Sequence, residues 1–278
     1  MYLAIDIGGT KTLVTCFDKD GTLREQLRFL TPRDYRLFIR QIAKSVADLS
    51  TKNFAAAGVA LPGLIDREHG IGIAFGNLPW QNVSVVKDIE RITKCPVYIE
   101  NDANLAGLSE AELLQDEFSK VLYVTISTGI GTGVIVDHQI DPNFADSEGG
   151  HIVLEHHGRR QMWEKFASGS AIVRRFGKRA QDITDAKTWH IIARDIATGL
   201  TDLSAIVQPE VIVLGGGVST YFDEFAPYVQ QEMERFSTPL TKVPTIRRAQ
   251  RPEEAVAYGC YLFAKEKHAR SRSKVAVR

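Results

Sequence analysis

The chain has 278 residues, enough for one large domain or two smaller ones, and with 44% apolar and 24% charged residues it has the composition of a globular protein. Its 34 Lys and Arg balance 34 Asp and Glu, and a formal net charge of zero excludes a general electrostatic pull toward nucleic acid or an anionic membrane surface. The three cysteines, far apart and set in apolar runs, exclude a disulfide or cysteine-rich metal framework; no apolar run approaches the roughly 20 residues of a membrane helix, and no basic leader precedes the first strand-like residues, so a cytoplasmic protein is expected.

Residues 2–7 form a buried strand run, Gly8-Gly9-Thr10-Lys11 a tight turn, and residues 12–17 a second strand, so the chain opens on a hairpin. A dinucleotide-binding fold would place a helix after the glycines. The β-branched run at 12–15 argues against one, and no Gly-x-x-x-x-Gly-Lys-Ser/Thr element occurs. A third strand over 23–29 is followed by a helix over 34–49, with Leu37, Phe38, Ile42, Val46 and Leu49 at helical spacing, and by an apolar strand over 56–61. Residues 62–66 are a turn into a short strand. Asn77-Leu78-Pro79-Trp80 is a loop with an apolar anchor, either packed on the surface or facing a ligand, and 83–92 has a helical pattern.

The stretch 95–112 is the centre of the sequence. A short β-branched and aromatic strand at 97–99 stops at Glu100-Asn101-Asp102, and a helix striped by Leu105, Leu108 and Leu113 begins. A carboxylate at the carboxyl end of a strand in an open α/β sheet is well placed to take a proton from a substrate hydroxyl. The alternative for Asn101 or Asp102 is a helix N-cap.

Residues 121–136 repeat the opening of the chain about 120 residues on: strand, then Ser127-Thr128-Gly129-Ile130-Gly131-Thr132-Gly133, then strand. Each glycine turn offers a row of backbone N–H groups to an anion, and two such turns suit a polyphosphate. Asp146-Ser147-Glu148-Gly149-Gly150-His151 then brings carboxylates and an imidazole together in a glycine-loosened segment, with Trp163-Glu164 close behind. Helices are expected over 167–179 and 186–207. A strand from 210 ends in Gly215-Gly216-Gly217, which fits either a turn into a helix or bare backbone against a nucleotide. Helices over 222–236 and 253–267 close the chain, ahead of a basic tail from Arg270 expected to be a solvated terminus.

Taken together, Asp6-Ile-Gly-Gly-Thr-Lys11, Pro62-Gly63, Asn77-Leu-Pro-Trp80, Glu100-Asn-Asp-Ala-Asn104, Thr128-Gly-Ile-Gly-Thr-Gly133, Glu148-Gly-Gly-His151, Trp163-Glu164 and Leu214-Gly-Gly-Gly217 resemble the ROK family of bacterial sugar kinases and repressors. The resemblance implies an α/β, two-lobed actin-like ATPase (ribonuclease H-like) fold with duplicated mixed sheets. One lobe would span 1–118 and be joined by 252–278, and the other would span 119–251. It implies Asp102 as general base, and Gly63, Asn77, Asn101, Glu148, His151 and Glu164 as sugar-binding residues. Gly8, Gly9, Thr10 and Lys11 would form one phosphate loop, and Thr128, Gly129, Gly131 and Thr132 the other. Asp6 would stand near magnesium through water, Gly215, Gly216 and Gly217 would lie against adenosine, and a homodimer is implied.

One departure stands out. Many family members follow the Gly-His element with a Cys-x-Cys-Gly-x-x-Gly-Cys zinc knuckle, whereas this chain has Glu155-His-His-Gly-Arg-Arg-Gln-Met162. Without thiolates no zinc is expected, and how His151 is held is left open between packing by Met162 and Trp163 and a bond from a nearby carboxylate. The expected activity is ATP- and magnesium-dependent phosphorylation of a hexose or N-acetylhexosamine. The alternatives are a polyphosphate-using glucokinase, since those also lack the knuckle, and an idle sugar-binding homologue. A repressor is disfavoured because only five residues precede Asp6.

Overall fold

The structure, a computed structural model, describes residues 1–251 and 253–276, and every count and absence below refers to these. Pro252 at the expected lobe boundary, and Val277 and Arg278 at the end of the basic tail, lie outside them. The chain divides into two compact units, Met1–Ser109 with Glu253–Arg278, and Glu110–Pro252. The division falls within the helix that carries Asp102, earlier than the change at 118–119 expected from sequence.

In the first unit, β1 (Tyr2–Ile7), β2 (Lys11–Phe17) and β3 (Leu23–Leu30) form the antiparallel start of a sheet. After α1 (Tyr35–Asp48), capped by Asp34 through the Leu37 N–H at 2.9 Å, β4 (Ala56–Leu61) returns parallel to β1. A small antiparallel sheet of β5 (Gly63–Asp66), β6 (Ile71–Phe75) and β7 (Gln81–Val83) follows, then α2 (Val85–Thr93). The helix expected from residue 83 therefore starts later, because Val83 closes a strand. Next, β8 (Val97–Asn101) joins β4 in parallel and leads straight into α3 (Asp102–Glu112), giving the order β3-β2-β1-β4-β8.

The closing helix, Ala255–Ala276, is pressed onto this sheet. A Cβ on Gly58 of β4 would lie 2.1 Å from the Cys260 carbonyl oxygen, and one on Gly259 would lie 1.9 Å from that of Leu105 in α3. Two bare glycines thus let one helix fix both β4 and the helix that begins at Asp102. The helix runs beyond the expected Lys267, so much of the basic tail is helical rather than an irregular terminus.

In the second unit, β9 (Lys120–Ile126), β10 (Ile130–Val136) and β11 (Gln139–Ile140) are antiparallel neighbours. A 3₁₀ turn (Gly149–His151) and a hairpin of β12 (Val153–His156) and β13 (Arg159–Met162) follow. The helix expected over 167–179 is α5 (Gly169–Phe176), and a separate single turn, α4 (Glu164–Ala167), precedes it. Ser168 separates the two by capping α5, and Gly177, at φ 66°, ends α5. The long α6 (Ala186–Val207) buries Trp189, Ile192, Ile196 and Leu200 against the sheet. Then β14 (Val211–Gly215) pairs parallel to β9, α7 (Phe222–Glu234) follows, and β15 (Thr245–Arg248) forms the edge. The order β11-β10-β9-β14-β15 has the strand directions of the first sheet, so the duplication read at one glycine turn extends to a whole sheet.

Candidate active site

The parallel strands of the first unit end together, with Asp6 opposite Ala60 and Leu61 opposite Asn101. Asp6 and Asp102 therefore leave one carboxyl edge of one sheet, their strands two spacings or roughly 10 Å apart. At the start of α3 the Asn101 Oδ1 accepts the N–H groups of Ala103 at 2.8 Å and Asn104 at 3.4 Å, so Asn101 is the N-cap. Asp102 is the first helical residue, and its Oδ1 also accepts from Ala103 N at 2.8 Å.

This corner is held from below by Glu100, which is 3% exposed. Its carboxylate accepts from Arg67 Nε at 2.8 Å and Nη2 at 2.5 Å, from Asn101 N at 2.7 Å and from Asn104 Nδ2 at 3.0 Å. Burial, and secondarily the charge of Asp102, push the Asp6 carboxyl up to about 7. A buried carboxyl beside a second carboxylate at a strand edge is a natural place for a cation or a transferring proton.

The first glycine turn is closed by Gly8 N donating to Lys11 O at 3.0 Å and braced by Thr31, whose hydroxyl donates to Gly8 O at 2.8 Å. A Cβ on Gly9 would lie 2.6 Å from the Asn77 Cβ, which puts Asn77 beside the turn. Trp80 is the expected anchor, 3% exposed and donating from Nε1 to Arg33 O at 2.8 Å. Gly63 has φ 132°, and a Cβ there would meet the Ala74 carbonyl at 2.2 Å. The pairing of β5 with β6 already requires glycine at that position, whatever else it does.

In the second unit the turn is shorter than the sequence suggests. Ser127 N donates to Gly129 O at 2.9 Å, and β10 starts at Ile130, so Gly131 and Thr132 lie at the start of a strand, as Lys11 does in the first turn. Thr132 is buried, and its hydroxyl accepts the Gly149 N–H at 3.1 Å. Its task is to brace the turn that carries Glu148 and His151. A Cβ on Gly150 would lie 2.1 Å from Ile130 O, which explains the paired glycines: the 3₁₀ turn lies directly on β10.

Glu164 sits against the shortened turn, where a Cβ on Gly129 would be 2.8 Å from its Oε2. The same oxygen is 4.0 Å from His151 Nε2, and Oε1 is 2.7 Å from Lys165 Nζ. Glu164 thus lies at ion-pair range of His151 but beyond hydrogen-bond distance. Glu148 is exposed along much of its length, yet loss of water around its carboxyl raises its pKa; Glu164 and Asp146 add to this, and His151 opposes it. Glu148, His151, Glu164 and Gly129 thus form one patch.

On another side of Ser127 and Thr128 lies a groove of ≈ 780 Å³, lined also by Gly169, Arg179, Gln181, Gly217 and Tyr221. Of the three glycines assigned to adenosine, only Gly217 lines it. Gly215 has no room for a side chain because of Tyr123, whose hydroxyl would be 2.2 Å from a Cβ, and Gly216, at φ 82°, faces the Ile126 carbonyl. Arg67, Thr31, Arg179 and Tyr221 carried no motif. Among the described residues, no group of three or more His, Cys, Asp and Glu side chains is arranged to hold a metal ion.

The ROK family model matches residues 2–267. The chain belongs to the ROK family. A fructokinase of Zymomonas mobilis is 31% identical over 240 residues, which cover 78% of this chain and 80% of that protein. Among solved structures, a ROK family glucokinase from Streptomyces griseus in complex with glucose and AMPPNP is similar at a TM-score of 0.81 and 23% identity, over 95% of this chain and 99% of that one. An inorganic polyphosphate/ATP-glucomannokinase from Arthrobacter sp. strain KM is similar at a TM-score of 0.72 and 27% identity, over 97% of this chain and 98% of that one. The fold is the actin-like ATPase fold of ROK hexokinases, and the twice-repeated sheet order is its form in this chain.

Proposed function

We propose that this ROK protein is an ATP-dependent sugar kinase acting on a hexose or N-acetylhexosamine, with Asp102 as the general base. The observation that carries the reading is the placement of Asp102 on the same carboxyl strand edge as Asp6 and the Gly8–Lys11 turn. Phosphoryl transfer is mostly positioning and charge neutralisation, so the protein needs backbone donors for phosphate, a carboxylate on the metal side and a base for the acceptor hydroxyl. Asp102 takes the proton of that hydroxyl, and α3 and the Glu100–Arg67 pair keep its backbone fixed as it does so. Asn101 commits its Oδ1 to the helix, which leaves its amide N–H groups to donate to the sugar. Glu148, His151 and Glu164 offer acceptors and an imidazole to ring hydroxyls.

The donor is the magnesium complex of ATP, which supplies the phosphoryl group. The magnesium side suits Asp6, whose carboxyl is held up to about 7 by burial and Asp102 and gains a compensating charge from a dication. The N–H groups of the Gly8–Lys11 and Ser127–Gly129 turns are assigned to phosphates, and the groove beside Thr128 and Gly217 to the nucleoside. Likeness to a polyphosphate/ATP enzyme keeps polyphosphate as a second donor to test.

The test is ADP release from MgATP against glucose, mannose, fructose, N-acetylglucosamine and N-acetylmannosamine, with a parallel arm using polyphosphate. Turnover with at least one sugar is expected. Silence in every arm would leave an idle sugar-binding homologue.

A further inference from the structure

The segment that departs from the family pattern, between His151 and Glu164, is built as a two-residue hairpin. His156 pairs with Arg159 across His157 and Gly158, both of which have positive φ (52° and 73°). The ladder continues to its base, where Trp163 N donates to Ile152 O at 2.9 Å. One step further, His151 and Glu164 face each other with Nε2 and Oε2 4.0 Å apart. The base of the hairpin thus joins the bracing from β10 in setting where this pair sits.

What fixes the hairpin is an ionic cluster on α6. Asp195, with 4% of its side chain exposed, accepts from His156 Nε2 at 3.0 Å on one oxygen and from Arg175 of α5 on the other. Gln161 Nε2 donates to His156 Nδ1 at 3.1 Å, which leaves the ring proton on Nε2 to serve Asp195. The His156 ring is stacked on Phe166, with centroids 4.2 Å apart and planes at 9°. One turn along α6, Gly199 gives Trp163 its seat, since a Cβ there would lie 2.2 Å from the indole, and Trp163 Nε1 donates to Asp195 O at 3.1 Å.

These residues do not fit zinc. Both His156 nitrogens are already engaged, His157 Nε2 is 3.3 Å from Arg175 Nη2, and Cys16, Cys95 and Cys260 all belong to the first unit.

We propose that the Asp195–His156–Arg175 cluster is a metal-free clamp that positions His151 and Glu164 for the sugar, with His156 and Asp195 as positioning residues. The inference rests on the sugar-kinase reading for its substrate, and its geometry can be read without turnover.

The experiment compares wild type with His156→Phe, which keeps the ring stack on Phe166 and removes both hydrogen bonds. The variant is expected to raise the KM for sugar on the order of 10- to 10²-fold while the KM for ATP stays near wild type. It is also expected to speed hydrogen exchange across residues 153–162. In a His151→Ala background the same change should raise the sugar KM by less than it does in wild type, because part of its effect passes through that residue. If His156→Phe does not fold, Asp195→Asn, which preserves volume, takes its place.

A folded variant with unchanged sugar KM and unchanged exchange, an equal rise in both KM values, or full additivity with His151→Ala overturns the clamp. So does one zinc per chain in protein purified without added metal, if chelation then lowers its melting temperature. If wild type phosphorylates no sugar, the kinase reading fails instead, and the exchange and chelation results still decide whether the clamp exists.

Discussion

Replacing Asp102 with Asn is expected to stabilise the protein while disabling it. The Asp6 carboxyl is raised from an ordinary value of 3.8 to about 7, with burial the larger cause and Asp102 the second. A shift of about 3 units corresponds to about 4 kcal/mol between the charged and neutral forms. The share owed to Asp102, the smaller of the two causes, is below half of this, on the order of 1 kcal/mol. Asn keeps the Oδ1 that accepts from Ala103 N, so the helix start survives.

A raised carboxyl pKa is a penalty on charging Asp6 in the folded state. It is absent below the unfolded value near 4, grows between about 4 and 7, and is complete above about 7. Asp102→Asn should therefore melt about 2–4 °C above wild type at pH 8, with the difference shrinking toward pH 5. Differential scanning fluorimetry at the two pH values measures it. A variant no more stable than wild type at pH 8, or one whose advantage is the same at pH 5, would refute the coupling of Asp6 with Asp102.

Three further outcomes follow from the packing. Thr132→Val leaves the Gly149 N–H without its acceptor and should lower stability by about 2 kcal/mol in chemical denaturation, with a rise in the sugar KM. Arg67→Met strands the buried Glu100 carboxylate and should lower stability by about 3 kcal/mol, and adding Glu100→Gln should recover part of this by removing the charge. Gly150→Ala must push a Cβ into the Ile130 carbonyl and should cost about 1–3 kcal/mol, whereas Gly217→Ala, with nothing within 4 Å, should leave the melting temperature alone and raise only the KM for ATP.

Legibility in the sequence followed how local each cause was. The opening hairpin was readable because β-branched residues after the glycines exclude a helix. The position of Asp102 between a strand and a helix was readable because an abrupt strand end and an apolar stripe bracket it. Of the two cap candidates, only backbone geometry could choose Asn101. Gly131 and Gly133 make the second glycine turn look longer in sequence than it is and disguise Thr132, a buried strand residue whose partner, Gly149, lies 17 residues on.

The hairpin at 153–162 went unread because its faces are half exposed and its turn is His-Gly rather than Asn-Gly. His157-Gly158 between alternating residues was nonetheless a signal for two positive φ values. Nothing local marks Asp195 on an apolar helix as the partner of His156, 39 residues earlier, or Arg67 as the partner of Glu100, 33 residues later. Pairings at that range are set by packing, which a pattern of residue types does not contain.

The most direct test of the account is the rate of the chemical step itself. Single-turnover phosphoryl transfer from MgATP to the preferred sugar, at saturating sugar, should fall by roughly 10²–10⁴-fold in Asp102→Asn while calorimetry gives a sugar Kd near that of wild type. Transfer at the wild-type rate would reduce Asp102 to a structural residue and contradict the account.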